Sequence, residues 1–179
     1  MQFVPRLEAP SQTDLHWIKT THGGYNRCIV IDNVTGSVLP NCTGYAWGRF
    51  LEENGITDCE LSRGDAENWY GHNDSYQRGI IPKLGAIICW SSSLGAGHVA
   101  VVEEIEPNGD ITTSNSAYNG TRFFIEHLTR VSNYNRGASY TLQGFIYPIQ
   151  NFNPGGEIKR NKFKWVLYSR KLRNNRNKL

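Results

Sequence analysis

The 179-residue chain lacks any long apolar run, since no stretch approaches the ~20 residues needed to cross a bilayer. Its N-terminus has no basic start followed by an apolar stretch, so no secretory signal is visible. There are only four cysteines, and no two of them form a CxxC pair, which disfavours a zinc knuckle or a thioredoxin-type site. With 39% hydrophobic and 20% charged residues, the composition is typical of one soluble globular domain.

Acidic residues are almost absent from the end of the chain. Residues 151–179 contain nine Lys and Arg residues and one acidic residue, Glu157, which gives a net charge of +8. Residues 1–150 contain 10 Lys and Arg residues and 15 Asp and Glu residues, which gives a net charge of −5. The division predicts a domain over 1–150 and a basic tail or linker over 151–179. A nucleic-acid-binding domain usually spreads its basic residues over a folded face, so we expect no nucleic-acid partner. Attraction of the tail to anionic polymers stays open as an alternative.

The four cysteines differ in their surroundings. Two disulfides are compatible with an even count, but a chain of this length does not need them and no export signal supports them. Cys28 and Cys89 lie in apolar strand patterns and Cys59 lies in a polar loop, which leaves Cys42 in a distinctive position.

The order of predicted elements favours an α+β fold. Asn41 is a good N-cap for a helix over 42–53, and a second short helix is expected over 65–70. A strand is predicted over 25–31. β-branched and aromatic residues then predict a run of strands at 84–90, 98–105, 110–115, 122–127, 140–147 and 163–168. A helical N-terminal part followed by consecutive strands indicates an antiparallel sheet of about five to six strands.

Cys42 is the candidate nucleophile. It falls in the first turn of the predicted helix, where unpaired N–H groups and the positive end of the helix dipole favour an anion. Such a position is expected to lower the pKa of the thiol, and the same N–H groups could hold an oxyanion. The alternative is that Cys42 is a small buried hydrophobic residue. Gly44 and Gly48 are expected to let a neighbouring strand or a substrate approach the helix closely.

A thiolate mechanism needs a base and a group that orients it. Of five histidines, His98 alone begins an apolar strand, and Pro107–Gly109 predicts a hairpin after it. Pairing Val102 with Ile111 places Asn115 opposite His98. A two-residue shift keeps Asn115 diagonal on the same face, and a one-residue shift or a bulge moves it to the other face. The alternative is a histidine at a strand edge without a role.

Three segments together resemble the CHAP domain, a family of cysteine, histidine-dependent amidohydrolases and peptidases in the papain-like NlpC/P60 superfamily. They are Asn41–Gly48 (NCTGYAWG), Gly97–Glu103 (GHVAVVE) and Ser114–Gly120 (SNSAYNG), and the strand Leu84–Trp90 (LGAIICW) adds to them. The likeness covers about residues 25–147. It is greatest to the CHAP modules of bacteriophage endolysins and tail-associated lysins that act on Gram-positive walls.

The resemblance implies a papain-like fold and cleavage of peptidoglycan amide bonds, by N-acetylmuramoyl-L-alanine amidase or endopeptidase activity. Cys42 would be the nucleophile, His98 the general base and acid, and Asn115 the orienting residue. Many relatives carry Glu or Asp where Asn115 stands, and Ala117 replaces a further Asn. The segment Asp32–Ser37 offers one carboxylate, too few for a Ca²⁺ site, and no metal or cofactor is expected.

Trp90 and Tyr118 flank the segments of the predicted triad and are the candidate substrate-binding residues. The implied partners are bacterial peptidoglycan and, further, other domains or phage tail proteins. The implied location is the phage tail or the host cytoplasm before lysis. Two rival functions remain: a non-catalytic structural or wall-binding component of a phage particle, and a nucleic-acid-binding protein that uses the basic tail.

Overall fold

The computed structural model describes residues 2–11, 13–19, 21–22, 26–27, 41–117 and 123–150. Its helices are α1 (Leu15–Lys19) and α2 (Cys42–Asn54), with 3₁₀ turns at Ala66–Asn68 and Arg130–Ser132. The strands are β1 (Thr21–His22), β2 (Asn26–Arg27), β3 (Arg78–Gly79), β4 (Ile87–Ser92), β5 (His98–Ile105), β6 (Ile111–Asn115), β7 (Phe124–Leu128) and β8 (Tyr140–Ile146). The predicted strand over 163–168 and most of that over 25–31 lie outside the described residues.

Helix α2 forms where the sequence predicts it, because both of its ends carry strong signals. The side chain of Asn41 accepts a hydrogen bond from Gly44 N at 2.8 Å, which satisfies one of the free N–H groups of the first turn. At the other end Gly55 adopts φ 63°, a left-handed conformation that costs glycine little, and its N–H closes the last turn. Cys42 is therefore the first residue of a well-defined helix.

The main sheet has six strands in the order β3-β8-β4-β5-β6-β7, all paired antiparallel, and β1 and β2 form a separate pair. The predicted α+β class is thus confirmed. The short helix predicted over 65–70 is a 3₁₀ turn over Ala66–Asn68, and α1 and β3 are too short to have given a periodic signal.

The predicted hairpin is present, but its register differs from the predicted pairing. Val102 faces Thr113, and the prediction that it faces Ile111 is wrong. Toward the turn the register changes by one residue, because Glu103 is left unpaired between Val102 and Glu104 as a β-bulge. The two-residue displacement keeps Asn115 diagonal to His98 on one face of the sheet.

The sheet separates two apolar layers. Helix α2, Trp17 of α1 and Trp69 pack on the face that carries Cys89, Val99 and other strand residues. The opposite face carries Trp90, Ala100, Val102 and Phe145, which pack with Tyr134. Burial of these side chains removes apolar surface from water and fixes α2 on the strands. No helix within the described ranges is long and apolar enough to cross a membrane.

One glycine of α2 makes close packing possible. A methyl group on Gly48 would lie 2.5 Å from the ring of Trp17, far inside van der Waals contact. The sequence predicts that a strand or a substrate approaches Gly48, whereas the close neighbour is the fully buried indole of Trp17 in helix α1.

Candidate active site

The sulfur of Cys42 lies beside the strand that carries His98. The backbone amide of Val99, the residue after His98, is a hydrogen-bond partner of the sulfur, together with the amides of Thr43 and Cys42 itself. Cys42 is half-buried and is not in a disulfide. The start of α2 and the start of β5 thus bring the thiol next to the histidine segment, although no hydrogen bond between Sγ and the imidazole is found among the described residues.

Burial decides the protonation state of this thiol. It raises the pKa of Cys42 above its ordinary value, while the amides of Val99, Thr43 and Cys42 and the positive charge of Arg136 lower that pKa by less. The expected net lowering of the pKa is therefore wrong for the free protein. The helix N-terminus does act in the expected direction, but the loss of hydration outweighs it because the sulfur is largely enclosed.

His98 and Asn115 are in direct contact, as the sequence predicts. His98 Nε2 lies 3.0 Å from Asn115 Oδ1, and Asn115 Nδ2 donates to the carbonyl oxygen and the hydroxyl of Thr113. Because the amide oxygen can only accept, Nε2 is the protonated nitrogen in this contact. A neutral ring then carries its lone pair on Nδ1, which is the form that a general base requires.

The imidazole of His98 is held neutral. Burial, and secondly the positive charge of Arg136, lower the pKa of His98 to about 3, against a smaller raising effect of the hydrogen bond to Asn115. His98 is 5% exposed, and its ring lies among those of Trp90, Phe124 and Tyr140 at centroid distances of 5.9, 6.5 and 6.4 Å. These rings leave water little access to it.

The two predicted substrate-binding residues have different outcomes. Trp90 has no exposed surface, and its Nε1 donates to the carbonyl oxygen of Tyr134 at 3.0 Å. The prediction that Trp90 contacts substrate is wrong in this structure, because the indole packs beneath His98. Tyr118 lies outside the described residues.

Arg136 is a site residue that the sequence interpretation missed. Its guanidinium lies over the rings of Trp90 and Tyr140, at 5.5 and 4.7 Å from their centroids, and its Nε is 3.3 Å from Glu126 Oε2. It precedes β8 in a segment without periodicity, so no sequence signal pointed to it. Phe124 and Tyr140 were also missed, although strand alternation places them on one face.

A buried charged cluster fixes α2 against the hairpin. Arg49 of α2 donates to both oxygens of Glu103, from Nε at 3.0 Å and Nη2 at 2.8 Å. Ser114, next to Asn115, donates to Glu103 Oε1 at 2.7 Å and accepts from Tyr45 OH at 2.7 Å. The helix that begins with Cys42 and the strand that ends with Asn115 thus share one hydrogen-bond network.

Within the ranges that the structure describes, no group of three His, Cys, Asp or Glu side chains is placed to hold a metal ion. The segment Asp32–Ser37 is not among those ranges. The side chains that the described site brings together are a thiol, an imidazole and an amide.

The segment that carries the site matches a known protein family. Residues 32–117 match the family model of the CHAP domain. The match includes Cys42, His98 and Asn115.

A comparison with solved structures finds a crystal structure of N-acetylmuramoyl-L-alanine amidase from Staphylococcus aureus, with a TM-score of 0.44 and 24% identity. The likeness covers 60% of this chain and 31% of that one, so the present chain corresponds to about a third of the length of that structure.

Proposed function

We propose that this protein is a peptidoglycan hydrolase that cuts an amide bond through the thiol of Cys42. The observation that carries the proposal is the contact of His98 Nε2 with Asn115, which leaves Nδ1 as the basic nitrogen while the thiol lies at the adjacent Val99 amide. The CHAP match supports peptidoglycan as the substrate. Neither the thiol nor the imidazole is charged in the free protein, so proton transfer accompanies the attack on substrate.

The reaction has two halves. Cys42 Sγ attacks the carbonyl carbon while its proton passes to His98 Nδ1, and backbone N–H groups at the start of α2 stabilise the oxyanion. The imidazolium then gives the proton to the leaving amine, and a thioester remains on Cys42. In the second half His98 takes a proton from water, the hydroxide attacks the thioester, and the carboxylate product and the thiol are released.

The first experiment is the clearing of purified Gram-positive cell walls by the wild type, Cys42→Ala and Cys59→Ala. Cys59 is a second half-buried free cysteine outside the site, so its substitution is the matched control. We expect Cys42→Ala to lose at least about a thousandfold in rate and Cys59→Ala to keep wild-type activity. Equal clearing by Cys42→Ala and the wild type would refute the mechanism and favour the non-catalytic rival.

Mass spectrometry of the digested walls identifies the bond. A new amino terminus on the first residue of the stem peptide indicates amidase activity, whereas new termini inside the stem or the cross-bridge indicate endopeptidase activity. Walls of other bacteria digested in parallel test whether the target is Gram-positive.

We further propose a bacteriophage lysin, either an endolysin or a tail-associated enzyme. The likeness of Asn41–Gly48, Gly97–Glu103 and Ser114–Gly120 to such modules supports this origin. Detection of the protein in purified virions would place it in the tail, and its appearance only in the host cytoplasm late in infection would favour the endolysin. Absence from both would contradict a phage origin.

A further inference from the structure

The guanidinium of Arg136 occupies a specific place beside the proposed triad. It stacks on Trp90 and Tyr140, which are two of the three rings around His98. Its ion-pair partner Glu126 belongs to β7, the strand that supplies the third ring, Phe124. Arg136 therefore contacts or pairs with β4, β7 and β8, the three strands that supply the rings around the imidazole.

The side chain of Arg136 holds its positive charge in a fixed position. It is 11% exposed, and both its stacking and its ion pair restrict the guanidinium to one position. Arginine stays protonated throughout the pH range in which the protein is folded, so the charge does not titrate. The enclosed surroundings also screen it less than solvent would.

The triad lacks the charge that a carboxylate would supply. Asn115 is neutral, so the imidazole has no anionic partner in direct contact. Among the described residues, Arg136 is the one charged side chain that shifts the pKa of His98, and it also lowers the pKa of Cys42. A positive charge at this point disfavours the imidazolium and favours the thiolate.

We infer that Arg136 is a positioning residue of this active site, which holds the rings under His98 and places a fixed positive charge beside the thiol and the imidazole. This inference rests on the proposed function, but the effect of the charge on the reactivity of Cys42 can be measured without any wall hydrolysis. The positive charge of Arg136 favours negatively charged groups near the sulfur of Cys42. Such groups belong either to an anionic reagent or to the carboxylates of an acidic wall peptide.

The test compares alkylation of Cys42 by iodoacetate, which is anionic, with alkylation by iodoacetamide, which is neutral and similar in size. Peptide mapping by mass spectrometry follows Cys42 separately from the other cysteines, and both rates are measured from pH 5 to pH 10. For Arg136→Gln we expect the iodoacetate-to-iodoacetamide ratio to fall at least about twofold, since the loss of one nearby charge changes only the attraction of the anion. We also expect the pH midpoint of the iodoacetamide reaction to move upward, because Arg136 lowers the pKa of the thiol.

Three further variants separate charge from packing. Arg136→Lys keeps the charge and should keep the ratio and the midpoint. Arg130→Gln removes an exposed arginine of the same connection and should change neither. Glu126→Gln removes the partner carboxylate, so it should raise the ratio and move the midpoint downward. This change is opposite in sign to that of Arg136→Gln and does not depend on the folding of that variant.

Other polar and titratable groups lie near Cys42 and His98, and the comparison of Arg136→Gln with the wild type leaves their identities unchanged. Tyr140 faces His98 from β8, Glu126 lies on β7, Cys42 itself begins α2, and Glu67 lies on the 3₁₀ turn packed against Gly97. None of them changes in Arg136→Gln. An unchanged ratio and midpoint in that variant, or an Arg136→Lys variant that behaves like it, would overturn the inference even if the wall-clearing assay succeeds. Conversely, failure of the wild type to clear walls leaves this measurement fully interpretable.

Discussion

His98 is a base that folding removes from water. In the unfolded chain its pKa returns to about 6.5, whereas in the folded protein burial and then Arg136 lower it to about 3. Between these values the unfolded chain binds more protons than the folded one, so the free energy of unfolding rises with pH across this window. Acidification from pH 6.5 toward pH 3 therefore removes stability.

We predict that His98 alone changes the free energy of unfolding by up to about 1.4 kcal/mol per pH unit in this window. It should be absent from the His98→Gln variant, and the exposed His127→Gln variant should keep it. Urea unfolding of the three proteins at several pH values between 3.5 and 7 measures it. Parallel curves for the wild type and His98→Gln would contradict a neutral buried imidazole.

The residue types of the triad were predictable, but their surroundings were not. Cys42 and His98 have local signals, namely a helix cap and the start of an apolar strand. The rings of Phe124 and Tyr140 come from strands that lie on different sides of β5 in the sheet, and Arg136 comes from a loop, so their convergence depends on the topology. The pKa of Cys42 was predicted in the wrong direction because sequence gives the helix dipole but not the depth of burial.

Helix α2 couples a stabilising cap to a reactive sulfur. Asn41 Oδ1 accepts from Gly44 N at 2.8 Å and from Thr43 Oγ1 at 3.0 Å, immediately before Cys42. The cap is neutral, so it satisfies the helix without placing a negative charge against the thiol.

We predict that Asn41→Ala lowers the free energy of unfolding by about 1 kcal/mol, since the first turn loses its acceptor. Asn41→Asp should keep the wild-type stability but slow alkylation of Cys42 near neutral pH, because the carboxylate opposes formation of the thiolate. Urea unfolding and iodoacetamide kinetics check the two effects, with the exposed Asn68→Ala as control. An Asn41→Asp variant that reacts at the wild-type rate would show that the cap does not influence the sulfur.

The hairpin shows where prediction from sequence ends at the level of elements. The Pro-Asn-Gly turn predicts a hairpin of β5 and β6, and the predicted bounds of 98–105 and 110–115 differ from the observed ones by one residue. The bulge at Glu103 was not predictable, because the carboxylate is buried against Arg49, which is 54 positions away in the chain. Burial of a glutamate in an apolar strand is costly unless a partner such as Arg49 compensates its charge.

The charged cluster joins four separate parts of the molecule. Arg49 Nη2 donates to the carbonyl oxygen of Val4, and Arg6 N donates to Glu103 Oε2, so the N-terminal segment, α2, β5 and β6 all contribute to it. Glu53 is also within 3.0 Å of Arg49, and burial holds its pKa well above the usual range. The cluster therefore includes a carboxyl whose charged form is disfavoured by burial and favoured by Arg49.

We predict that Arg49→Met lowers the free energy of unfolding by about 3–5 kcal/mol, because Glu103 loses its guanidinium while it stays completely buried. The double variant Arg49→Met, Glu103→Gln should recover part of the loss, since the uncompensated charge is removed. Urea unfolding measures all three proteins, with the exposed Arg63→Met as control. A loss below about 1 kcal/mol would contradict a structural role of the cluster.

The end of the described chain is attached far from the sulfur. The backbone amides of Ile149 and Gln150 donate to Asn54 Oδ1 at 2.9 and 3.3 Å, and Gln150 Nε2 donates to the carbonyl oxygen of Asn54 at 3.1 Å. Asn54 is the last residue of α2, and a 13-residue helix is about 20 Å long. Gln150 therefore lies at the opposite end of this helix from Cys42.

We predict that a chain ending at Gln150 keeps the fold and the rate of Cys42 alkylation, because all three contacts with Asn54 remain. Removal of residues 151–179 changes the net charge from +3 to −5. Binding to anionic cell walls should therefore weaken at low salt, and the difference from the full chain should shrink as salt is raised. Sedimentation with purified walls over a salt series measures it. Equal binding by both chains at low salt would show that the tail is a linker without affinity for the wall.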